Sequence, residues 1–597
     1  MTKSLERYWH WLALTAVTVF LIFLPALNLF FADGFKWIGP VTITGAVHGD
    51  WKYYEPRIRE ILDGHPLIGN PFSLEHNNDL PPAFFFADWL AAIPRLLGLS
   101  LEWGTIANDV IWSLLFVFFA YGLLKELGVS KIFSVIGAEL AYLQVFYLMT
   151  ATVSMQTIFP FYLFFLFAFL FWIKDYKDNK KTVLLIAAST LSFYVYTYLW
   201  QIALTMLVLG VIFWFVVKQK EKAVGLLKVI GYTIILSAPL FVLTYLQVTH
   251  PDYWDTMQRI GLIQTRLPTA EVFYSGRWVV LIILLWFIGF KWSRELKATQ
   301  TYILSFIFFT ISGLSMMIVS ASNVITGKDL ELAQHIVRFI LVWLPLAFVS
   351  FLFFVKRHGE YFKLFSLYKK TVIFILCLIS LFGMFSYYKG YLYPFSHRQQ
   401  IWQRIVDNQK LNTPLNWLEN KEKTPVVVWT DDSNSVANGY VTIMTKHYVL
   451  SGGALLQLVS SKEVEERYLV SNYFNRLTLD GIKNDFKVYA GIGNAVHPYK
   501  LHNRKVVLCK FFRLNFFGAN CKEKTDALTL KGDKYFIDLY DKYTKEIVPN
   551  IDYYLKKYHV SYYLKDRKIN NNAQPEKIGM ERVYSDANFD IYKLKDF

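Results

Sequence analysis

Long apolar runs recur through the first two thirds of this chain and limit what it can become more than any other feature. Crossing the hydrocarbon of a bilayer as a helix takes about 20 consecutive, mostly apolar residues. Such runs stand at Trp9–Phe31 and at about 106–125, 132–151, 156–173, 182–217, 224–247, 278–292, 301–323, 335–355 and 371–389. Hydrophobic residues make up 54% of the 597 and aromatic residues 18%, more apolar matter than a soluble chain of this length needs. The first run is too long and aromatic for a cleaved signal peptide, and no small-residue cleavage site follows it, so it reads as a retained helix. The run at 182–217 is too long for one span and is expected to break near Tyr196–Gln201, which brings the count to about eleven crossings.

Charge then orients the spans. The net charge of +16 is carried largely by short loops between apolar runs, which is the mark of a cytoplasmic membrane face rather than of nucleic-acid binding. Lys3 and Arg7 place the N-terminus in the cytoplasm. The loops Lys125–Lys131, Lys174–Lys181, Lys218–Lys222, Lys291–Lys297 and Lys356–Lys370 fall on the same side if 182–217 crosses twice and Phe84–Leu97 does not cross. That segment holds Asp88, Pro94 and Arg95 and is expected to lie on the outer surface. The outer regions are then a first loop of about 32–103, the loop Gln247–Arg277, and everything after about 390. Residues 1–389 therefore read as a multi-pass plasma-membrane domain and 390–597 as an extracytoplasmic α/β domain.

In that second domain Pro425–Thr430 (PVVVWT) reads as a buried strand and Val506–Phe512 (VVLCKFF) as another. Helices are expected at His397–Asn408, Lys462–Asn475 and Tyr553–Tyr558, and further strands at Val560–Leu564 and Phe589–Leu594. Three cysteines are too few for a disulfide framework or a cysteine zinc site. Cys509 and Cys521 could pair outside the cell or stay free. No Walker phosphate loop, glycine-rich dinucleotide fingerprint or HExxH occurs, which speaks against chemistry driven by ATP or a nucleotide sugar. No internal repeat supports the plan of an inverted-repeat transporter.

Candidate chemistry concentrates in the outer loops. Gly49–Gly64 (GDWKYYEPRIREILDG) sets Asp50 before an amphipathic helix carrying Tyr53, Tyr54, Glu55, Arg57 and Arg59. Alone, Asp50 could equally cap that helix. With phenols and guanidinium groups within about one and a half turns, it suits a general base for a sugar hydroxyl beside a phosphate. The same carboxylate could instead hold a divalent cation, magnesium or manganese; no other cofactor is called for. Glu75 to Asp79 (EHNND) offers a second acid, Glu75 or Asp79, with His48 and His76 as auxiliaries, although a solvated turn before Pro81-Pro82 accounts for it as well. Arg259, Arg266 and Arg277 belong to the Gln247–Arg277 loop, and Lys328, His335 and Arg338 to the outer start of a later span. Arg338 lies within an apolar run, where a charge marks function unless it snorkels to the headgroups. Arg259, Arg266 or Arg338 could grip a lipid-linked phosphate. Glu139 is either an interhelix polar pair or part of the site, and Asp431 and Asp432 close a strand.

This layout and the Gly49–Gly64 segment resemble the GT-C superfamily of integral membrane glycosyltransferases, which use polyprenyl-phosphate-linked sugars. The segment is similar to the first-loop motif of bacterial and archaeal oligosaccharyltransferases, protein O-mannosyltransferases and lipid A aminoarabinose transferases. The resemblance implies a mainly α, GT-C-like helix bundle with a C-terminal extracytoplasmic domain. It casts Asp50 as the first-loop catalytic or metal-binding acid and Glu75 or Asp79 as its second acid. Tyr53, Tyr54, Arg57 and His76 would line the substrate. Trp429-Thr430-Asp431 stands where oligosaccharyltransferases carry Trp-Trp-Asp, and Thr152–Gln156 lacks their second acidic pair. Both departures favour a glycan, lipid or envelope acceptor over N-linked protein glycosylation. The alternative is a transporter, flippase or non-catalytic assembly subunit for lipid-linked glycans.

Overall fold

The computed structural model describes residues 2–33, 51–81, 85–150, 153–259, 262–295, 300–329, 335–358, 385, 407–430, 436–452, 458–483, 493–518, 520–521 and 532–595. A helical bundle comes first. Its members are α1 (Thr2–Asp33), α4 (Leu101–Glu126), α5 (Lys131–Met149), α6 (Ser154–Lys174), α7 (Asn179–Val195), α8 (Thr197–Val216), α9 (Lys220–Leu236), α10 (Ala238–Thr249), α12 (Ala270–Glu295), α13 (Gln300–Ser320) and α14 (Ile336–His358). The short helices α2 (Trp51–Leu62), α3 (Phe86–Leu96) and α11 (Tyr253–Arg259) lie between them in sequence. Six described helices are long and apolar enough to cross a membrane, or seven if the bent pair α9 and α10 forms one span. Tyr8–Leu24 and Ser275–Ile288 are shorter apolar stretches. Apart from Phe385, the run at 371–389 lies outside the described residues.

Local sequence explains the breaks. The long run divides at Tyr196, whose extended backbone separates α7 from α8. The run at 224–247 bends by 54° between α9 and α10, where Pro239 in the first turn of α10 withholds a backbone donor. Between α3 and α4 the chain turns through Gly98 at φ +95°, a left-handed conformation that favours glycine. Ser100 then caps α4, its Oγ accepting from the Trp103 amide at 3.4 Å.

The bundle has two unlike ends. At one, Lys174 pairs with Glu126 at 2.5 Å, Lys222 sits over the rings of Tyr176 and Trp214, and Lys356 over that of Phe133. Four of the basic loops thus share that end. At the other, Gln247 donates to the Pro81 carbonyl and Tyr196 hydrogen-bonds His335 at 2.7 Å.

The C-terminal unit joins this second end. It contains α15 (Asn412–Lys421), α16 (Val436–Met444), α17 (Ser461–Ser471), α18 (Gly493–Phe511), α19 (Asp533–Lys542) and α20 (Ile551–Lys557). Five strands, β3 (Val427–Thr430), β4 (Tyr448–Val449), β5 (Val560–Asp566), β6 (Met580–Ser585) and β7 (Phe589–Leu594), form a sheet in the order β4-β3-β5-β7-β6. β3 runs parallel to β4 and β5, while β7 is antiparallel to β5 and β6. The residue pairs β1 (Ile263–Gln264) and β2 (Lys328–Asp329) form a separate antiparallel ladder.

Two readings of this unit need correction. Val506–Phe512 is not a strand: it falls in the last turns of α18 and the turn after it. A short apolar run with β-branched residues fits either state by pattern alone, and here Val506 and Leu508 are buried from a helix. The edge strand β6 was not expected, because most of its residues are solvent-facing. Cys509 and Cys521, left open by sequence, form a disulfide with their Cα atoms 5.5 Å apart.

Candidate active site at the loop–domain junction

Helix α2 begins at the residue after Asp50 and is buried along much of its length. Its first residue, Trp51, meets the Tyr440 ring edge-on at 5.2 Å. Gly439 of α16 permits this approach: a Cβ there would lie 3.2 Å from Lys52 Cγ and 3.4 Å from the Trp51 ring. Further along the helix, Tyr54, Ile58 and Ile61 pack against the core of the helical bundle, whereas Trp51 belongs to a core shared with the C-terminal unit. Helix α2 is therefore wedged between the bundle and the C-terminal unit.

Ion pairs fix it to α3. Arg57 Nη2 lies 2.5 Å from Asp88 Oδ2, with both side chains almost wholly buried. Burial pushes the Asp88 carboxyl up to about 6 against the pull of Arg57. The Arg57 guanidinium also lies 4.8 Å from the Tyr53 ring centre and donates to the Tyr53 hydroxyl. Arg95 pairs with the buried Glu55 at 3.1 Å. Further along α2, Arg59 reaches Glu419 of α15 at 2.9 Å. Glu60 meets His65 at 2.5 Å and Tyr448 at 3.4 Å, and burial raises its carboxyl to about 7.

A second ionic cluster ties the middle of the first loop, Ser73–Asp79, to α17. Arg467 contacts Glu75 at 2.9 Å, Glu463 at 2.9 Å and Ser73 at 3.0 Å, and stacks its guanidinium over Tyr558. His76 bridges Asp79 at 2.6 Å and Glu463 at 3.2 Å. Hydrogen bonds that the His76 ring donates to Asp79 and Glu463 raise it to about 10. Burial would raise Glu463, but His76 and Arg467 together hold it down at about 2. A small pocket lies beside this cluster, lined by Phe72, Ser73, Leu450 and Arg467 among others.

The residues singled out from sequence thus take different places. Asp50, His48, Asp431 and Asp432 lie outside the described residues. Glu75, His76 and Asp79 come together, but in ion pairs that join the first loop to α17: Glu75 meets Arg467, and His76 meets Asp79 and Glu463. Arg259 is buried and donates to Thr256 Oγ1, Ser461 Oγ and the Val459 carbonyl; burial lowers its pKa to about 10. Arg266 donates to the carbonyls of Val324 and Ile325. Arg338, near Tyr147 and His335, is half-buried in the first turn of α14. No described carboxylate pairs with it within 4.0 Å. Glu139 accepts from Thr18 of α1 at 3.3 Å.

Sequence reading overlooked Asp109, which accepts from Gln156 at 2.6 Å inside the bundle. Its signal was available, since Asp109 is an acid within an apolar run. Glu463 and Arg467 gave none, because their helix looks like any exposed amphipathic helix. Among the described residues no group of three or more His, Cys, Asp and Glu is arranged to hold a metal. The acids around His76 already face cations, so they do not suit one.

No family model matches this chain, and no curated protein matches it. Among solved structures it is similar to ArnT from Cupriavidus metallidurans bound to undecaprenyl phosphate, at 12% identity and a TM-score of 0.47, over 98% of either chain.

Proposed function

We propose that this chain is a membrane glycosyltransferase of the GT-C kind. It would move a sugar from a polyprenyl-phosphate donor to a glycan, lipid or cell-envelope acceptor outside the cytoplasm. The observation that carries this reading is the anchoring of α2. One peptide bond from Asp50, Trp51 is packed under Tyr440, and the same helix is pinned by two buried ion pairs. A rigid support of this kind is what a reactive carboxylate requires, since catalysis depends on preorganised geometry.

In this reading the acceptor hydroxyl oxygen attacks the anomeric carbon while the bond from that carbon to the phosphate oxygen breaks. Asp50 takes the hydroxyl proton as general base. The departing polyprenyl phosphate keeps the bonding electron pair, and Arg338 compensates its charge. Tyr53 and Tyr54, three and four residues after Asp50, would line the substrate. Arg57, Arg259 and Arg266 hold the scaffold, and Glu75, His76 and Asp79 hold the first loop to the C-terminal unit. If Asp50 binds a divalent cation instead, the cation would take over compensation of the phosphate charge.

The transport alternative expects charged side chains facing one another within the bundle. The described intramembrane carboxyls Glu139 and Asp109 each meet a neutral partner instead, Thr18 and Gln156. The test is Asp50→Asn in full-length protein reconstituted in nanodiscs with a panel of polyprenyl-phosphate sugars. Release of polyprenyl phosphate should stop while the protein elutes and unfolds as the wild type does. Undiminished release would remove Asp50 from the chemistry.

A further inference from the structure

The segment after α18 presents an apolar tip to its surroundings. Phe516 and Phe517 are 76% and 85% exposed, and Phe512 and Leu514 are exposed beside them. Four large apolar side chains within six residues are far more than the scattered exposure normal for a soluble surface. The tip is also built to hold its shape. The disulfide Cys509–Cys521 closes its base, Arg513 turns the chain at φ +52°, and a turn of 3-10 helix runs over Leu514–Phe517 to Gly518 at φ +83°.

Its position suggests the occupant. Phe511 and Phe512 pack against Phe273 at 5.3 and 5.0 Å, in the first turn of α12. The apolar stretch of that helix, Ser275–Ile288, begins two residues later, and Trp278, Leu281, Leu284 and Phe287 point outward from it. The tip is therefore continuous with an outward apolar face of the helical bundle, at the level where that face begins. Arg277, over the Trp278 ring, and the flanking Lys510 and Arg513 supply cations at the same level. An aromatic tip flanked by basic residues at the end of an apolar helix matches the membrane–water interface, where aromatic rings sit among headgroups and cations meet lipid phosphates.

We infer that the Phe512–Gly518 tip inserts into the outer leaflet beside α12, so that the C-terminal unit has its own lipid anchor. The sugar-transfer reading is not needed for this. The anchor would restrain α18, and through Arg504, which donates to the Leu267 carbonyl and pairs with Asp329, the β1–β2 ladder above the bundle.

The experiment places a nitroxide on Phe517→Cys, in full-length protein lacking Cys377 (Cys377→Ser), in nanodiscs of phosphatidylcholine with phosphatidylglycerol. A reference label goes on Ile569→Cys, an exposed site of the same unit. The expected result is high collision with oxygen and about tenfold less collision with a water-soluble nickel complex than at 569, as for a side chain about 5–10 Å into the headgroup–acyl boundary. Equal access to nickel at both sites would overturn the inference. Low access to both reagents would overturn it too, since the tip would then be covered by protein, such as a second copy. Should Phe517→Cys fail to elute as the wild type does, Phe516→Cys provides the same reading.

Discussion

Arg57 and Asp88 form an ion pair of 2.5 Å with almost no solvent access, joining the two short helices of the first loop. By residue type Arg57 is a phosphate ligand; by position it is a clamp. The difference bears on how any substitution there should be read.

Removing one member of a buried pair strands the other charge, at a cost of about 3–5 kcal/mol. Arg57→Ala and Asp88→Asn should each lower stability by that order, and the double variant by less than the sum of the two. Unfolding of the purified protein in mild detergent titrated with a denaturing one gives the three values. Strict additivity would show that the two side chains do not interact.

Arg338 and Arg266 should behave oppositely. A hydrogen bond to a charged group contributes about 1.5–3 kcal/mol, so Arg338→Ala should slow sugar transfer by about 10- to 150-fold without loss of stability. Arg266→Ala should leave turnover close to wild type, because its guanidinium caps the carbonyls of Val324 and Ile325. Steady-state release of polyprenyl phosphate by the two variants compares them directly.

His76 sets a pH dependence whose sign is fixed. Its folded pKa, about 10, lies above the ordinary value of about 6.5. The stability it contributes is complete below about 6.5 and is lost as pH rises toward 10. Glu463, held at about 2, contributes above its ordinary range and is lost as pH falls toward 2. Replacing His76 by Gln should flatten the alkaline limb of a stability-against-pH curve, measured by thermal unfolding at a series of pH values. An unchanged alkaline limb would remove His76 from the ionic cluster that joins the first loop to α17.

Glu60 runs in the same direction as His76, over a lower pH range. Its folded carboxyl, raised to about 7, binds its proton more tightly than an unfolded Glu, so stability should fall as pH rises from about 4.5 to 7. In Glu60→Gln that slope should vanish, leaving the variant relatively more stable at neutral pH. The same unfolding series reads it, and an identical slope in both proteins would show that Glu60 titrates normally.

Much of the secondary structure was legible because it depends on local pattern. Apolar runs of membrane length could only be helices, since a lipid-exposed backbone must satisfy its own hydrogen bonds. Val427–Thr430, β-branched and followed by acids, could be little other than a buried strand. Val506–Phe512 was misread because seven residues of mixed β-branched and aromatic character carry no decisive period. The disulfide from Cys509 to Cys521 needed the helix and turn that bring two distant Cα atoms together.

For the candidate site, the chain on its own determined which groups are present in the first loop and which end of the bundle they approach. Hydrophobic length and charge are properties of residues in sequence. Which arginines are free to meet a ligand was decided only by the tertiary fold. Arg57, Arg259 and Arg266 find partners on helices, loops and carbonyls that are remote in sequence, while Arg338 faces none of the described carboxylates. Burial and pairing are properties of neighbours, and neighbours exist only once the chain has packed.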